Sequence, residues 1–182
     1  KIIGMTMWVS GIMKENNVTI KHTQRGYPLK EIDKKNKLSA YKLRRIIRNK
    51  SKSPLVKNIY SEIYLKVINS FAFNLVAIKY DQNNLLLSNN QDAIKDITSI
   101  MKEFDNIVKE KGLKITQSIK SRINQTLSSK KHTMSMLTDF RNGKKIEIIN
   151  QWESLIKINK SIKNKIKFSK KIYEFTIKLI RK

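Results

Sequence analysis

His132-Thr133-Met134-Ser135-Met136-Leu137-Thr138-Asp139-Phe140, then Arg141-Asn142-Gly143, then Ile146-Glu147-Ile148, reads as a short helix, an abrupt stop and the opening of a second helix. An Asn-Gly pair after a helical run supplies the left-handed backbone that ends it. Ser135 and Asp139 stand four residues apart and so share one helical face. Glu147 opens the following segment, where a carboxylate is favoured by the helix dipole. By spacing alone, the three side chains read either as ordinary helix capping and solvation or as part of a binding site.

Outward from this unit the chain keeps helical periodicity. Ser61 can cap a helix running to about Lys79. Asn83-Asn84 and Ser88-Asn89-Asn90 read as a polar connection. Ala93, Ile94, Ile97, Ile100, Met101, Phe104, Ile107 and Val108 hold 3–4 spacing up to a stop at Lys111-Gly112. Further helices are expected over 115–127, 133–140, 146–158 and 167–180. Upstream, 2–9 and 17–23 are short apolar or β-branched runs that read as two strands across a turn at 14–17. A small basic helix over 38–50 follows, and Ser51-Lys52-Ser53-Pro54 breaks it. There is no internal repeat and no strand–helix alternation of a parallel sheet.

At 182 residues and 40% hydrophobic, the chain can bury one substantial core. It has no cysteine, which excludes disulfides and thiolate metal sites. No apolar run approaches the roughly 18–20 residues that span a bilayer. The opening Lys1 to Met13 superficially resembles a secretory signal, but polar residues and glycine interrupt it, and the default compartment is the cytoplasm. The formal net charge of +25 invites an anionic polymer as partner. Against that, the lysines are scattered and arginine is confined to Arg25, Arg44, Arg45, Arg48, Arg122, Arg141 and Arg181. A Lys-, Ile- and Asn-rich composition also follows from A/T-rich codons. Around Lys42–Lys50, Leu43, Ile46 and Ile47 keep helical spacing, so that cluster reads as an amphipathic helix with a solvated basic face.

Few constellations here could carry chemistry. His22 and His132 are the only histidines, and neither has a carboxylate at metal-ligand spacing. No Ser-His-Asp arrangement or phosphate-binding loop is visible. Lys66, Ser70 and Asn74 do form a polar stripe within about 80° on an otherwise apolar helix. Such a stripe needs partners, because an unsatisfied buried polar group costs roughly 1–3 kcal/mol. One reading is that Lys66 reaches water and Asn74 caps a neighbouring backbone; the other is a binding site.

The stretch from His132 to Ile148 resembles a signature of the ketopantoate reductases (2-dehydropantoate 2-reductases), written His-Lys-Thr-Ser-Met-Leu-Gln-Asp, a Gly-containing turn, then Thr-Glu-Ile-Asp. Glu62-Ile63-Tyr64-Leu65-Lys66, Ser70-Phe71-Ala72-Phe73-Asn74 and Ala77 resemble the family helix Ile-Trp-x-Lys, then Asn-x-x-x-Asn-Pro-x-x-Ala. Ile3-Gly4-Met5-Thr6, Val18 to Thr23, Gly26, Leu29 and Glu31 resemble the strands that enter it. The blocks stand in family order over nearly the whole chain. Departures are Ser70 for the first asparagine, Leu75 for the proline, Tyr64 for the tryptophan and Thr133 for the lysine, and Asn150 follows where the family would continue Asp-Ala-Leu.

The resemblance implies a mainly α fold, a helical bundle of the 6-phosphogluconate-dehydrogenase C-terminal-like type, preceded by a short β-strand segment. It implies three parts: 1–35 as an edge of the nucleotide-binding domain, 36–55 as basic helix and linker, and 56–182 as the substrate-binding and dimerisation domain. The Gly-x-Gly-x-x-Gly turn of a nucleotide-binding half is missing from this sequence, whose five glycines are too dispersed to build it. The implied reaction is NADPH-dependent reduction of a 2-keto acid, with Lys66 as general acid. Glu147 would orient the substrate hydroxyl and Ser135 would bind its carboxylate. Asn74, Ser70 and Asn84 would hold further substrate oxygens, and Asp139 would support the turn beside Glu147. A homodimer is implied as well. The rival from another class is a basic helical nucleic-acid-binding protein.

Overall fold

In a computed structural model, which describes residues 2–14, 17–157 and 165–181, the protein is mainly helical, with short strands confined to its first part. The described chain falls into two compact units, 1–66 and 67–182.

The first unit holds β1 (Ile3–Met5), β2 (Trp8–Lys14), β3 (Asn17–Gly26), β4 (Leu29–Glu31), a 3-10 turn (Lys34–Asn36) and α1 (Lys37–Arg48). Instead of the one expected hairpin there are two antiparallel pairs, β2 with β3 and β1 with β4. The run over 2–9 divides at Thr6-Met7, where Thr6 N donates to Pro28 O at 3.0 Å. Gly26 explains why the strands part there. It adopts φ 61°, and a Cβ would collide with the Lys52 carbonyl. Only glycine tolerates both demands. Tyr27 N donates to the same carbonyl at 2.8 Å, and the chain resumes as β4 after Pro28. Gly4 lies against Ile59, which is buried along with Leu29 and Ala40.

Helix α2 (Ile59–Tyr80) begins in the first unit and continues in the second. It starts two residues before the expected cap, because Asn58 Oδ1 accepts from Tyr60 N at 2.9 Å and Ser61 N at 3.4 Å. From Phe71 to Ile78 every apolar side chain is buried. A helix apolar on all sides is a bundle's centre, because no face of it profits from water.

Around it in the second unit are α3 (Asn84–Asn89), α4 (Gln91–Glu110), α5 (Ile119–Leu127), α6 (Ser135–Arg141), α7 (Ile148–Ile156) and α8 (Lys167–Ile180). The polar connection expected around 83–90 contains α3. Its asparagines are caps, with Asn83 Oδ1 accepting from Leu86 N at 3.1 Å and Asn90 Oδ1 from Ala93 N at 3.0 Å. The helix expected from 115 starts later, where Ser118 Oγ caps Ser121 N at 3.2 Å. The last residue expected for α7, 158, lies outside the described residues. Core packing is partly aromatic: Phe71 meets Phe104 edge-on at 5.8 Å, and Trp152 stacks between Phe71 and Tyr173 at 5.8 and 4.4 Å. Full burial of the Phe71 and Phe104 rings stabilises the fold by about 1.5–3 kcal/mol each. No described helix is long and apolar enough to cross a membrane.

Candidate active site

Lys66 is half-buried on α2, and its Nζ lies 5.3 Å from the centroid of the Trp8 ring. Burial holds its pKa below the ordinary lysine value of 10.5, because desolvation disfavours the charged form. No carboxylate pairs with it among the described residues.

One turn further along α2, Ser70 and Asn74 form a bonded pair. Asn74 Nδ2 donates to Ser70 O at 2.8 Å and to Ser70 Oγ at 3.3 Å. Its Oδ1 accepts from Met136 N at 3.2 Å. That amide belongs to the first turn of α6, whose own N-cap residue, Met134, supplies no side-chain acceptor. Asn74 therefore caps α6 from another helix, as one of the two sequence readings allowed. Ser70 Oγ also accepts from Gln151 Nε2 at 3.3 Å, and Gln151 N donates to Glu147 O at 3.0 Å. Two rungs, Ser70–Gln151 and Asn74–Met136, thus hold the first turns of α7 and α6 against one stretch of α2.

The side chains left over at those helix starts are Ser135 and Glu147. Both are exposed, and neither side chain makes a hydrogen bond or ion pair among the described residues. Asp139 is half-buried, and its backbone carbonyl accepts from Lys144 N at 2.8 Å, which closes the turn after α6. Gly143 provides that turn with φ 64°. Asn84 stands apart from this network. It is fully buried, donating to Thr126 O at 2.8 Å and Ser129 O at 3.1 Å, so it ties α3 to the end of α5.

This arrangement of α2, α6 and α7 coincides with a family assignment. The family described as "Ketopantoate reductase PanE/ApbA C terminal" matches residues 58–179. The chain belongs to this family.

As a ketopantoate reductase C-terminal domain, it is similar to solved structures at low identity, which speak to the fold. A dimeric ketopantoate reductase from Staphylococcus aureus superposes with TM-score 0.72 at 14% identity, over 98% of this chain and 62% of that one. A ketopantoate reductase from Ralstonia eutropha JMP134 gives 0.74 at 15%, over 98% and 58%. A D-mandelate dehydrogenase solved with NADH and anilino(oxo)acetate gives 0.80 at 16%, over 96% and 58%. The chain thus spans about three-fifths of the length of these proteins. No curated protein matches its sequence.

The domain's own residues do not fit as holders of a dinucleotide. The described strands make two separate antiparallel pairs, and Gly26, Gly112 and Gly143 lie in three separate turns. A pyrophosphate cradle needs a strand, a glycine turn and a helix N-terminus in succession. Nor is there a cluster of three or more His, Cys, Asp or Glu able to hold a metal among the described residues.

Three contributors escaped the sequence reading. Trp8 faces the Lys66 ammonium from β2. Gln151 links α7 to Ser70. Arg122 is fully buried, ion-paired with Asp105 and within 3.3 Å of Asn69 Oδ1. Gln151 had one available signal, since it follows Glu147 by one helical turn and shares its face.

Proposed function

We propose that this chain is the substrate-binding part of an NADPH-dependent reductase that converts 2-dehydropantoate to pantoate, in pantothenate and coenzyme A biosynthesis. Reducing a ketone places negative charge on its oxygen, and a positioned ammonium both stabilises that charge and delivers the proton. Lys66 is the acid. Its depressed pKa brings it nearer the range in which a proton is readily given up, and no carboxylate among the described residues pairs with it. Glu147 accepts a hydrogen bond from the substrate hydroxyl, and Ser135 donates to its carboxylate. Asn74 and Ser70 position these groups by fixing the starts of α6 and α7, and the Ser70 hydroxyl contributes to the polar lining. Asn84 and Asp139 support the surrounding turns. The hydride is supplied by a nicotinamide carried on residues other than these.

The observation that carries this reading is the division of labour at the bonded network. Ser70, Asn74 and the Gln151 amide nitrogen are bonded internally, whereas among the described residues the Ser135 and Glu147 side chains, at the ends they pin, make no hydrogen bond or ion pair. The test is steady-state NADPH oxidation by a reductase in which a relative's nucleotide-binding domain precedes this chain. The substrates compared are 2-dehydropantoate, its analogue lacking the 4-hydroxyl, and an aryl 2-keto acid. Preference for 2-dehydropantoate that disappears in Glu147→Ala supports the assignment. Equal use of the deoxy analogue, or preference for the aryl acid, overturns it.

A further inference from the structure

The basic face of α1 is not a uniformly solvated surface. Tyr41, Arg44, Arg45, Arg48 and Asn49 line an open groove of about 260 Å³. Their spacing places all five along one side of a helix. Three of the chain's seven arginines are in this groove, although the scattered lysines follow the overall composition. Arg44 is half-buried and fixed, since its Nε donates to Ser53 O at 2.6 Å and Ser53 Oγ in turn donates to Tyr27 O at 2.8 Å. Arg45 and Arg48 are exposed and make no ion pair among the described residues, and α1 contains no acidic residue.

We infer that this groove binds a terminal diphosphate, such as inorganic pyrophosphate or the tail of a nucleoside diphosphate. Three guanidinium forks oppose the roughly three negative charges of such a group, and arginine presents paired donors to phosphate oxygens where lysine offers a point charge. Holding Arg44 in place beforehand lowers the ordering cost of binding. Tyr41 offers a ring face for a base or sugar beside the phosphates. The groove falls below the roughly 300–1,000 Å³ of a site enclosing a drug-sized ligand, so it suits the charged end of a molecule. A dinucleotide's bridging pyrophosphate is flanked by bulk on both sides, and a polynucleotide brings one charge per phosphate; both match the groove less well.

The test is calorimetric titration of the chain with inorganic pyrophosphate, ADP, NADPH and a short single-stranded oligonucleotide. Variants are the doubles Arg45→Gln/Arg48→Gln and Lys42→Gln/Lys50→Gln, which remove equal charge, with circular dichroism to confirm folding. Expected is one-to-one saturation by pyrophosphate and ADP, weakened about tenfold or more by the arginine pair and left nearly unchanged by the lysine pair. Equal loss in both doubles, no loss in the arginine double, or saturation by the oligonucleotide but not by pyrophosphate would each overturn it.

Discussion

At the scale of single residues, Lys66 experiences two opposing influences. The Trp8 ring favours its charge, whereas burial disfavours it and lowers its pKa. The sign for catalysis follows directly. A general acid must be protonated, so turnover declines as pH rises through the Lys66 pKa, and that decline falls below the ordinary 10.5. A kcat–pH profile of the assembled reductase is expected to show this alkaline limb, and Lys66→Arg, always charged, to lack it at reduced turnover. A limb unchanged in Lys66→Arg assigns the titration to another group. Asn74 is more readily tested by folding. Asn74→Ala removes the Met136 cap and leaves a buried amide unsatisfied, at a cost of about 1–2 kcal/mol, measurable by urea denaturation. The polar stripe of Lys66, Ser70 and Asn74 was legible because three polar residues recur on an apolar helix. Gln151 and Trp8 were not, because each gains its meaning from a partner distant in the chain.

At the scale of elements, α4 and α5 are joined through a buried charge. Arg122 on α5 pairs with Asp105 on α4 and reaches Asn69 on α2. Burial pushes the Asp105 carboxyl upward, and Arg122 opposes that shift. In sequence Arg122 resembles any exposed helix arginine, because burial is decided by the neighbours that close over it. Arg122→Met leaves Asp105 buried without its counter-charge and is expected to cost about 3–5 kcal/mol, while the further change Asp105→Leu recovers most of the loss. The pH dependence has a definite sign. A carboxyl whose folded pKa is raised stabilises the fold when protonated, so stability is lost as pH rises from 3.8 through the raised value. Losing Arg122 widens that window, as denaturation of wild type and variant across acidic pH will read. Helix ends show the same limit on legibility. Asn83 and Asn90 read as loop residues because asparagine serves loops and caps alike, and only the accepted amides distinguish the two.

At the scale of the molecule, the helical bundle was legible because apolar periodicity persists through α4 and α8 around an almost wholly apolar α2, and the His132–Ile148 signature gave the family. The strand pairing was less so, since a three-residue strand such as β4 carries almost no pattern, and its partner is settled by the close approach at Gly26. Lacking a pyrophosphate cradle among its described residues, this chain is expected to bind NADPH far more weakly than a reductase carrying a nucleotide-binding domain. Titration by nicotinamide fluorescence checks this, and comparable affinity would contradict it. The account depends most on Lys66 as the acid, and Lys66→Ala in the assembled reductase tests that most directly. The predicted result is a kcat lowered about 10²–10⁴-fold with KM changed only slightly. A near-normal kcat, or a loss confined to KM, would contradict it.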